Sequence, residues 1–144
     1  MMRKTRLTVI ALALLLLSPA FAAAEEVSIG NWIADTGAHK IGGYVTLGLS
    51  ATTLGLGLAG YEVHPYLGYA TFGFSATAAL AGTLAYKDLL PVVWPHALLN
   101  GLAVVGFGLN AFVFEGGSPA HIATGITSTA LLGASYVAIN LIMR

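Results

Sequence analysis

The four histidines of this chain are its main candidates for chemistry, because of where they fall. His39 and His64 lie twenty-five residues apart, and so do His96 and His121. Each of them opens a long apolar stretch. A neutral imidazole can offer one nitrogen to a metal while the other donates a hydrogen bond, which makes histidine the commonest metal ligand. Four histidines in two matched pairs therefore predict metal or haem ligation.

A helix-length pattern that begins at His39 is repeated from His64. Both copies read H-x3-G-Y-x-T-x-G-x-S-A-T-x4-G-x3-Y, with ten of twenty-three positions identical. In three of the four histidine segments a glycine follows the histidine by four residues. These glycines are Gly43, Gly68 and Gly125. Because that position lies one turn away on the same helix face, its glycine leaves room beside the imidazole for a flat macrocycle.

The composition is that of an integral membrane protein. The chain is 57% hydrophobic and only 8% charged, whereas a soluble domain carries about 25% charged residues. Zero formal net charge and the lack of a basic patch argue against nucleic acid as a partner. The chain has no cysteine, which excludes disulfides, thiolate metal sites, iron–sulfur clusters and covalently attached c-type haem. A haem here would be haem b, held by axial ligands and packing.

The hydropathy of the chain and the positions of its prolines and short polar connections predict an all-α membrane protein with four spans. The predicted spans are residues 39–60, 64–86, 93–114 and 119–143. Each has about 20 to 25 residues, enough at 1.5 Å per residue to cross a hydrocarbon core of about 30 Å. The short connections between them favour an up-down-up-down four-helix transmembrane bundle.

The first 24 residues have the features of a secretory signal peptide. Arg3, Lys4 and Arg6 precede an apolar run at 7–17 that is too short to span a bilayer. Small residues follow the helix-breaking Ser18-Pro19 pair and offer a cleavage site. The alternative is an uncleaved anchor helix that ends near residue 24. In either case residue 25 begins on the far side of the membrane.

The rest of the chain divides into a short periplasmic segment, residues 25–38, and a four-helix transmembrane haem-binding domain, residues 39–144. We expect a multi-pass protein of the bacterial inner membrane with a periplasmic N-terminus. Lys40, Lys87 and Arg144 then lie outside, against the tendency of positive residues to stay inside. The basic start of the chain is the stronger signal.

Alternating helix directions predict how the histidines pair. His39 and His96 should lie near one membrane surface, and His64 and His121 near the other. In a bundle numbered in order, the first and third helices are diagonal, as are the second and fourth. Two imidazoles that approach from opposite sides have the geometry of six-coordinate haem iron. We therefore expect two bis-histidine haems, one near each surface.

One histidine on each of four consecutive spans, paired first with third and second with fourth, resembles the core of the transmembrane di-haem cytochromes b, especially cytochrome b561. The resemblance covers residues 39–143. It implies that the four histidines are axial ligands, and that the protein moves electrons across or within the membrane to or from a redox partner protein or quinone. Two departures are a signal peptide in place of an extra span and the lack of an arginine-rich cytoplasmic surface, so the electron donor does not carry over.

Two other interpretations of the histidines remain open. They could bind copper or zinc, although two imidazoles at each depth, with no cysteine and no methionine cluster, make a poor cage. The protein could also be a non-redox membrane subunit or small transporter whose histidines serve packing or proton transfer. Hydrolytic chemistry has no support, because the sequence offers no nucleophile–base pair, phosphate-binding loop or carboxylate dyad.

Overall fold

The structure, a computed structural model, describes residues 29–143, and this part of the chain is helical apart from turns. The helices are α1 (Ile29–Thr36), α2 (Ala38–Leu58), α3 (His64–Ala85), α4 (Leu90–Phe112) and α5 (Pro119–Ile142), with a 3-10 turn at Lys87–Leu89. The all-α prediction is confirmed. The signal peptide predicted for residues 1–24 lies outside the described residues.

Local sequence explains where the long helices begin and how they connect. Pro65 lies in the first turn of α3, where its missing N–H costs no helical hydrogen bond. The hydroxyl of Ser118 caps α5 by accepting the backbone N–H of His121 at 3.2 Å. Gly60 and Gly117 have positive φ angles, 76° and 78°, a conformation that glycine adopts without strain. These tight connections make α2 antiparallel to α3 and α4 antiparallel to α5.

The third long helix, α4, begins earlier than the predicted start at residue 93. The 3-10 turn leads directly into Leu90, so α4 begins three residues earlier and Pro95 lies inside it. His96 is therefore the seventh residue of α4 and does not open its helix. The prediction that all four histidines sit at helix starts is wrong for this residue, because the predicted boundary was tied to the proline.

The segment predicted as a short polar stretch, residues 25–38, contains the helix α1. This eight-residue helix packs against α3 and buries Ile33. Gly37, with φ 66°, separates α1 from α2. Trp32 on the same helix is exposed, as expected of an aromatic anchor at a membrane surface.

The four long helices pack in chain order around a shared interior: α2 on α3, α3 on α4, α4 on α5, and α5 back on α2. That interior is rich in hydroxyl groups. The buried polar residues are Thr46, Ser50, Thr53, Thr71, Ser75, Asn100, Ser128 and Ser135. Large apolar side chains such as Phe74, Val105 and Val137 are instead exposed. This distribution is the reverse of a water-soluble protein and suits a molecule surrounded by lipid.

The buried hydroxyls are satisfied largely within their own helices. Thr46 donates to the carbonyl of Gly42 at 2.7 Å, and Ser75 donates to the carbonyl of Phe72 at 2.9 Å. Side chains bonded in this way are small and carry no unpaired donor, so neighbouring helices can approach closely without a polar penalty.

Among the residues that the structure describes, three helical segments are long and apolar enough to cross a membrane: Ala38–Leu58, Lys87–Phe112 and Pro119–Ile142. They indicate a membrane protein. The predicted second span forms α3 and has 22 residues, but it is not among the three. The difference lies in the aliphatic residues, since α3 has three leucines and no isoleucine or valine, whereas α2 has five leucines with Ile41 and Val45. The hydroxyls of Thr77 and Thr83 lie on the exposed face of α3. Both donate to carbonyls one turn back, which reduces the cost of facing lipid.

Candidate functional site

The structure brings the four histidines together in the two predicted pairs. The rings of His39 and His96 have centroids 6.0 Å apart and lie at 85° to each other. The rings of His64 and His121 have centroids 5.6 Å apart at 79°. We call the two sites the His39–His96 level and the His64–His121 level. Both pairs are formed by diagonal helices and point into the interior of the helix packing.

In the α2–α3 half, each histidine uses Nδ1 to reach a backbone carbonyl of the other helix. His39 Nδ1 lies 2.9 Å from the carbonyl oxygen of Ala78, and His64 Nδ1 lies 2.8 Å from that of Thr53. Each carbonyl belongs to the residue fourteen positions after the other helix's histidine. Because a carbonyl only accepts, Nδ1 must carry the proton in both rings, and each Nε2 is left with a free lone pair.

The α4–α5 half follows the same rule at one histidine and falls short at the other. His96 Nδ1 lies 3.0 Å from the Ser135 carbonyl and 2.7 Å from the Ser135 hydroxyl. His121 faces the Asn110 carbonyl, but its Nδ1 is buried without a hydrogen-bond partner, as is Asn110 Oδ1. These are the two buried, unpartnered polar side-chain atoms found within residues 31–143.

The His64–His121 pair cannot satisfy its nitrogens with protons alone. The two Nε2 atoms are 3.3 Å apart. His64 Nε2 carries a lone pair and no proton, because His64 Nδ1–H donates to the Thr53 carbonyl. If His121 donates from Nε2, its own Nδ1 becomes an acceptor that faces a carbonyl, which is also an acceptor. If His121 is protonated at Nδ1, two lone pairs face each other. A doubly protonated imidazole would place a charge in the interior of a membrane protein.

A metal between the two Nε2 atoms would satisfy both rings at once. Imidazole–metal bonds are about 2 Å long, so a linear arrangement would need the nitrogens about 4 Å apart, and the rings, whose nitrogens are 3.3 Å apart, would have to separate by about 0.7 Å. Within residues 29–143 no group of three or more His, Cys, Asp or Glu side chains could hold an ion. Copper or zinc at this level would therefore have no third ligand of these four types from the described residues, whereas a porphyrin supplies its own four nitrogens.

A cavity of about 640 Å³ adjoins the His64–His121 pair. Cofactor and ligand pockets usually span about 300–1,000 Å³. Two of the predicted macrocycle glycines, Gly68 and Gly125, line this cavity. A Cβ placed on Gly68 would have no neighbour within 4 Å, whereas one on Gly125 would lie 2.9 Å from the Asn110 amide nitrogen. The space beside Gly68 is thus available to a ligand.

The His39–His96 level is closed by comparison. Its cavity measures about 20 Å³. Tyr136 projects its hydroxyl onto Gly43, the third predicted macrocycle glycine, and its ring packs 5.4 Å from that of Tyr44. At this level a flat ligand needs Tyr136 to move. On α4 the residue four positions after His96, which corresponds to Gly43 on α2, is the buried Asn100.

Two further glycines position the imidazoles and were not predicted as site residues. A Cβ on Gly82 would lie 2.7 Å from Nδ1 of His39, and one on Gly57 would lie 2.6 Å from Nδ1 of His64. His39 and His64 thus each pack against a glycine of the neighbouring helix. The signal was present in the sequence, because both glycines follow a histidine by eighteen residues within the repeat.

A second, longer repeat relates the two halves of the site. His96 and His121 follow His39 and His64 by 57 residues, and Gly117 follows Gly60 by the same interval. The carbonyl partners obey it too, from Thr53 and Ala78 to Asn110 and Ser135. The α2–α3 and α4–α5 hairpins therefore carry equivalent histidine frames, although few other residues match.

Between the two levels lies a small apolar cluster. Ala103, Phe107 and Leu132 are buried against one another. Phe107 also lines the cavity of the His64–His121 level, and Leu132 lines that of the His39–His96 level. The fourteen residues from His39 to Thr53 correspond to about 21 Å along the helix axis, which places the two levels well apart within a membrane about 30 Å thick.

The residues present fit the haem that the sequence predicts at the His64–His121 level, where opposed lone pairs adjoin an open cavity. They fit at the His39–His96 level once Tyr136 moves. Comparison of the chain with protein-family models, with curated proteins and with solved structures finds no match.

Proposed function

We propose that this protein is a membrane b-type cytochrome that carries two bis-histidine haems and transfers electrons across or within the membrane. His39 and His96 ligate one haem, and His64 and His121 the other. Haem iron with two axial imidazoles takes up and releases one electron and leaves no position open to substrate. Electrons pass to or from a redox partner protein or quinone. The resemblance to cytochrome b561-type proteins suggests the same role.

The observation that carries the proposal is the arrangement of nitrogens in each pair. Nδ1 of His39, His64 and His96 contacts a carbonyl, which fixes the tautomer and leaves Nε2 with a basic lone pair, and the Nε2 atoms of His64 and His121 lie 3.3 Å apart. Carbonyl contacts of this kind orient metal-bound histidines and raise their basicity. Histidines that served packing alone would need neither these oriented tautomers nor rings that meet in pairs at two levels.

The other interior residues maintain the two sites. Gly57 and Gly82 admit the imidazoles, and Gly68 leaves the adjoining space open. Phe107 and Leu132 separate the two levels with apolar side chains and keep water from the interval between them. A dry interior strengthens the electrostatic coupling between a charged cofactor and its ligands.

The proposal includes a specific membrane arrangement. The helices α2 to α5 form an up-down-up-down four-helix transmembrane bundle in a bacterial inner membrane, and α3 spans despite its hydroxyls because most of them face the interior or their own backbone. After removal of a signal peptide the N-terminus is periplasmic. A periplasm-dependent reporter enzyme fused after Arg144 should then be active, and one inserted at residues 116–117 inactive. The reverse pattern would overturn this orientation.

The main test is the haem content of the purified full-length protein. We expect a red protein with a reducible bis-imidazole spectrum and two haems per chain, measured against protein mass after extraction. Single His→Leu substitutions should each reduce the content to one haem, because leucine fills the space but offers no ligand.

A matched pair of double variants provides the control. His39→Leu with His96→Leu removes both ligands of one level and should leave one haem. His39→Leu with His64→Leu also removes two histidines, but from different levels, and should leave none. A colourless protein from haem-replete cells would contradict the proposal and favour a non-redox membrane subunit. Equal haem content in the two double variants would contradict the pairing.

A further inference from the structure

Ser135 has a role at the His39–His96 level that its equivalents in the other helices lack. Four residues hold the position fourteen after a histidine, and in the structure all four turn a backbone carbonyl toward an imidazole. They are Thr53, Ala78, Asn110 and Ser135. Ser135 alone among them also contacts the ring with its side chain, at 2.7 Å from His96 Nδ1.

The direction of each hydrogen bond follows from the chemistry of the atoms. The Ser135 hydroxyl lies 3.1 Å from the His96 carbonyl, to which it can only donate. Its oxygen therefore accepts from His96 Nδ1–H, which also donates to the Ser135 carbonyl at 3.0 Å. Two acceptors thus share one ring proton, and the same hydroxyl clamps the backbone of the histidine. Ser135 is fully buried, so water does not compete.

The opposite ligand of this level lacks that second acceptor. His39 Nδ1 donates to the Ala78 carbonyl at 2.9 Å, and the alanine side chain has no hydroxyl. At the other level the Thr53 hydroxyl donates to its own helix at Leu49 and contacts Thr71, away from His64. The difference between Ser135 and Ala78 is therefore confined to one side of one site.

We propose that Ser135 is a positioning residue that makes His96 the more electron-donating of the two ligands at its level and lowers the reduction potential of that haem. This inference rests on the proposed function. Acceptors on the distal nitrogen of a metal-bound imidazole raise its basicity, and a more basic ligand stabilises the oxidised, more positive iron. One hydroxyl group thus makes the two ligands of this level unequal.

The test is a redox titration of the haem-loaded protein, with the two potentials assigned in backgrounds that carry His64→Leu or His39→Leu. Ser135→Ala should raise the reduction potential of the His39–His96 haem by up to about 59 mV. For one electron, about 59 mV corresponds to a tenfold change in the oxidised-to-reduced ratio. Ala78→Ser should lower it. The double variant, which moves the hydroxyl from one ligand to the other, should return the potential near its original value.

Two controls separate positioning from packing. Ser75→Ala removes an equally buried hydroxyl that bonds its own helix and should leave both potentials unchanged. The potential of the His64–His121 haem should stay fixed in every variant. In the haem-free full-length protein, Ser135→Ala should speed solvent exchange of the His96 Nδ1 proton at least several-fold by NMR, whereas Ser75→Ala should not.

The outcomes distinguish this inference from the proposed function. A red protein whose two reduction potentials are unchanged by both Ser135→Ala and Ala78→Ser would overturn the role of Ser135 but not the proposed cytochrome function. Equal shifts of both haems would do the same, since they indicate a general loss of packing. Should the wild-type protein bind no haem, both proposals fail together. If Ser135→Ala does not fold, Ala78→Ser still decides the direction of the effect.

Discussion

The two histidine levels are built to the same plan and differ in how ready they are for a ligand. At the His64–His121 level the rings adjoin a cavity of about 640 Å³, and one imidazole nitrogen lacks a partner. At the His39–His96 level the cavity is about 20 Å³, and both Nδ1 atoms are hydrogen-bonded. One level is open with an incomplete hydrogen-bond frame, and the other is closed with a complete one.

This difference arises from residues outside the histidine frame. By the 25-residue spacing that relates the two levels, Tyr136 of the closed level is equivalent to Ala111 of the open one, and Asn100 to Gly125. The closed level thus carries two larger residues where the open level carries small ones, and Tyr136 occupies the space over Gly43. The two levels share the frame that orients the imidazoles, whereas access to the imidazoles is set separately at each level.

The largest effect is expected where a side chain would occupy the open cavity. Gly68→Leu places a side chain in space that is free in the structure. Haem binding at the His64–His121 level should be lost, while the haem-free protein should keep its thermal stability. Haem content per chain and a melting curve in detergent measure the two effects.

Gly73→Leu is the matched control for this variant. Gly73 lies on the same helix, is exposed and has no neighbour within 4 Å of its Cβ position. Full haem content in both variants would mean that the cavity beside Gly68 is not where the macrocycle lies.

The next largest effect concerns the glycines against which the imidazoles pack. Gly57→Ala should displace His64 and weaken haem binding at its level, and Gly82→Ala should do the same through His39. Forcing an extra methyl group into packed space costs about 1–3 kcal/mol, or roughly 5- to 150-fold in haem affinity. Each substitution should affect its own level, which haem titration in the matching His→Leu background resolves.

Gly48→Ala offers the control, because Gly48 lies on α2 with open space around it and should be without effect. If Gly57→Ala and Gly82→Ala both acted on the same level, the pairing of each glycine with its histidine would be wrong.

The shared frame could be predicted from the sequence because it is carried by repetition. The 25-residue spacing of the histidines, with Gly and hydroxyl residues at matching helix positions, is enough to predict four long helices and inward-facing rings. Alternating directions then predict which histidines meet. These inferences need only the helical period and short connections.

The differences between the levels could not be predicted in this way. Tyr136 and Ser135 stand outside the 25-residue pattern, and their contacts depend on how closely α5 approaches α2 and α4. The glycines at 57 and 82 were visible, but a glycine does not reveal which side chain it admits. The start of α4 was misplaced because Pro95 resembles a first-turn proline when the preceding 3-10 turn is unknown.

A smaller effect is expected from opening the closed level. A site that requires Tyr136 to move binds its ligand only through a minor conformation, typically 0.1–10% populated, so its apparent affinity drops about tenfold or more. In haem reconstitution, the His64→Leu protein should therefore load more slowly than the His39→Leu protein. Tyr136→Ala should remove most of this difference.

Tyr66→Ala removes a tyrosine that is exposed on α3 and should leave the two loading rates unequal. Equal rates in the proteins with an intact Tyr136 would show that the closed level opens freely, and the contrast between the levels would then have no functional consequence.

The smallest effect concerns a hydroxyl pair found at one level only. Thr53 and Thr71 approach to 2.9 Å between α2 and α3, whereas the equivalent positions in the 25-residue repeat are Ala78 and Thr46. Both hydroxyls already lie within donor distance of their own helices, at Leu49 and Leu67. Two protons therefore serve three contacts, and the contact between the helices has to share one of them.

A double-mutant cycle with Thr53→Val and Thr71→Val should accordingly give a coupling energy of about 0.6 kcal/mol or less, the average for such bonds in membrane proteins. Unfolding in mixed detergent micelles measures it. Because a valine at position 53 keeps the backbone carbonyl to which His64 Nδ1–H donates, haem content should stay at two per chain. A coupling above about 1.7 kcal/mol, the largest seen for such contacts, or loss of haem from Thr53→Val alone, would mean that the hydroxyl pair and not the carbonyl holds the His64–His121 level in place.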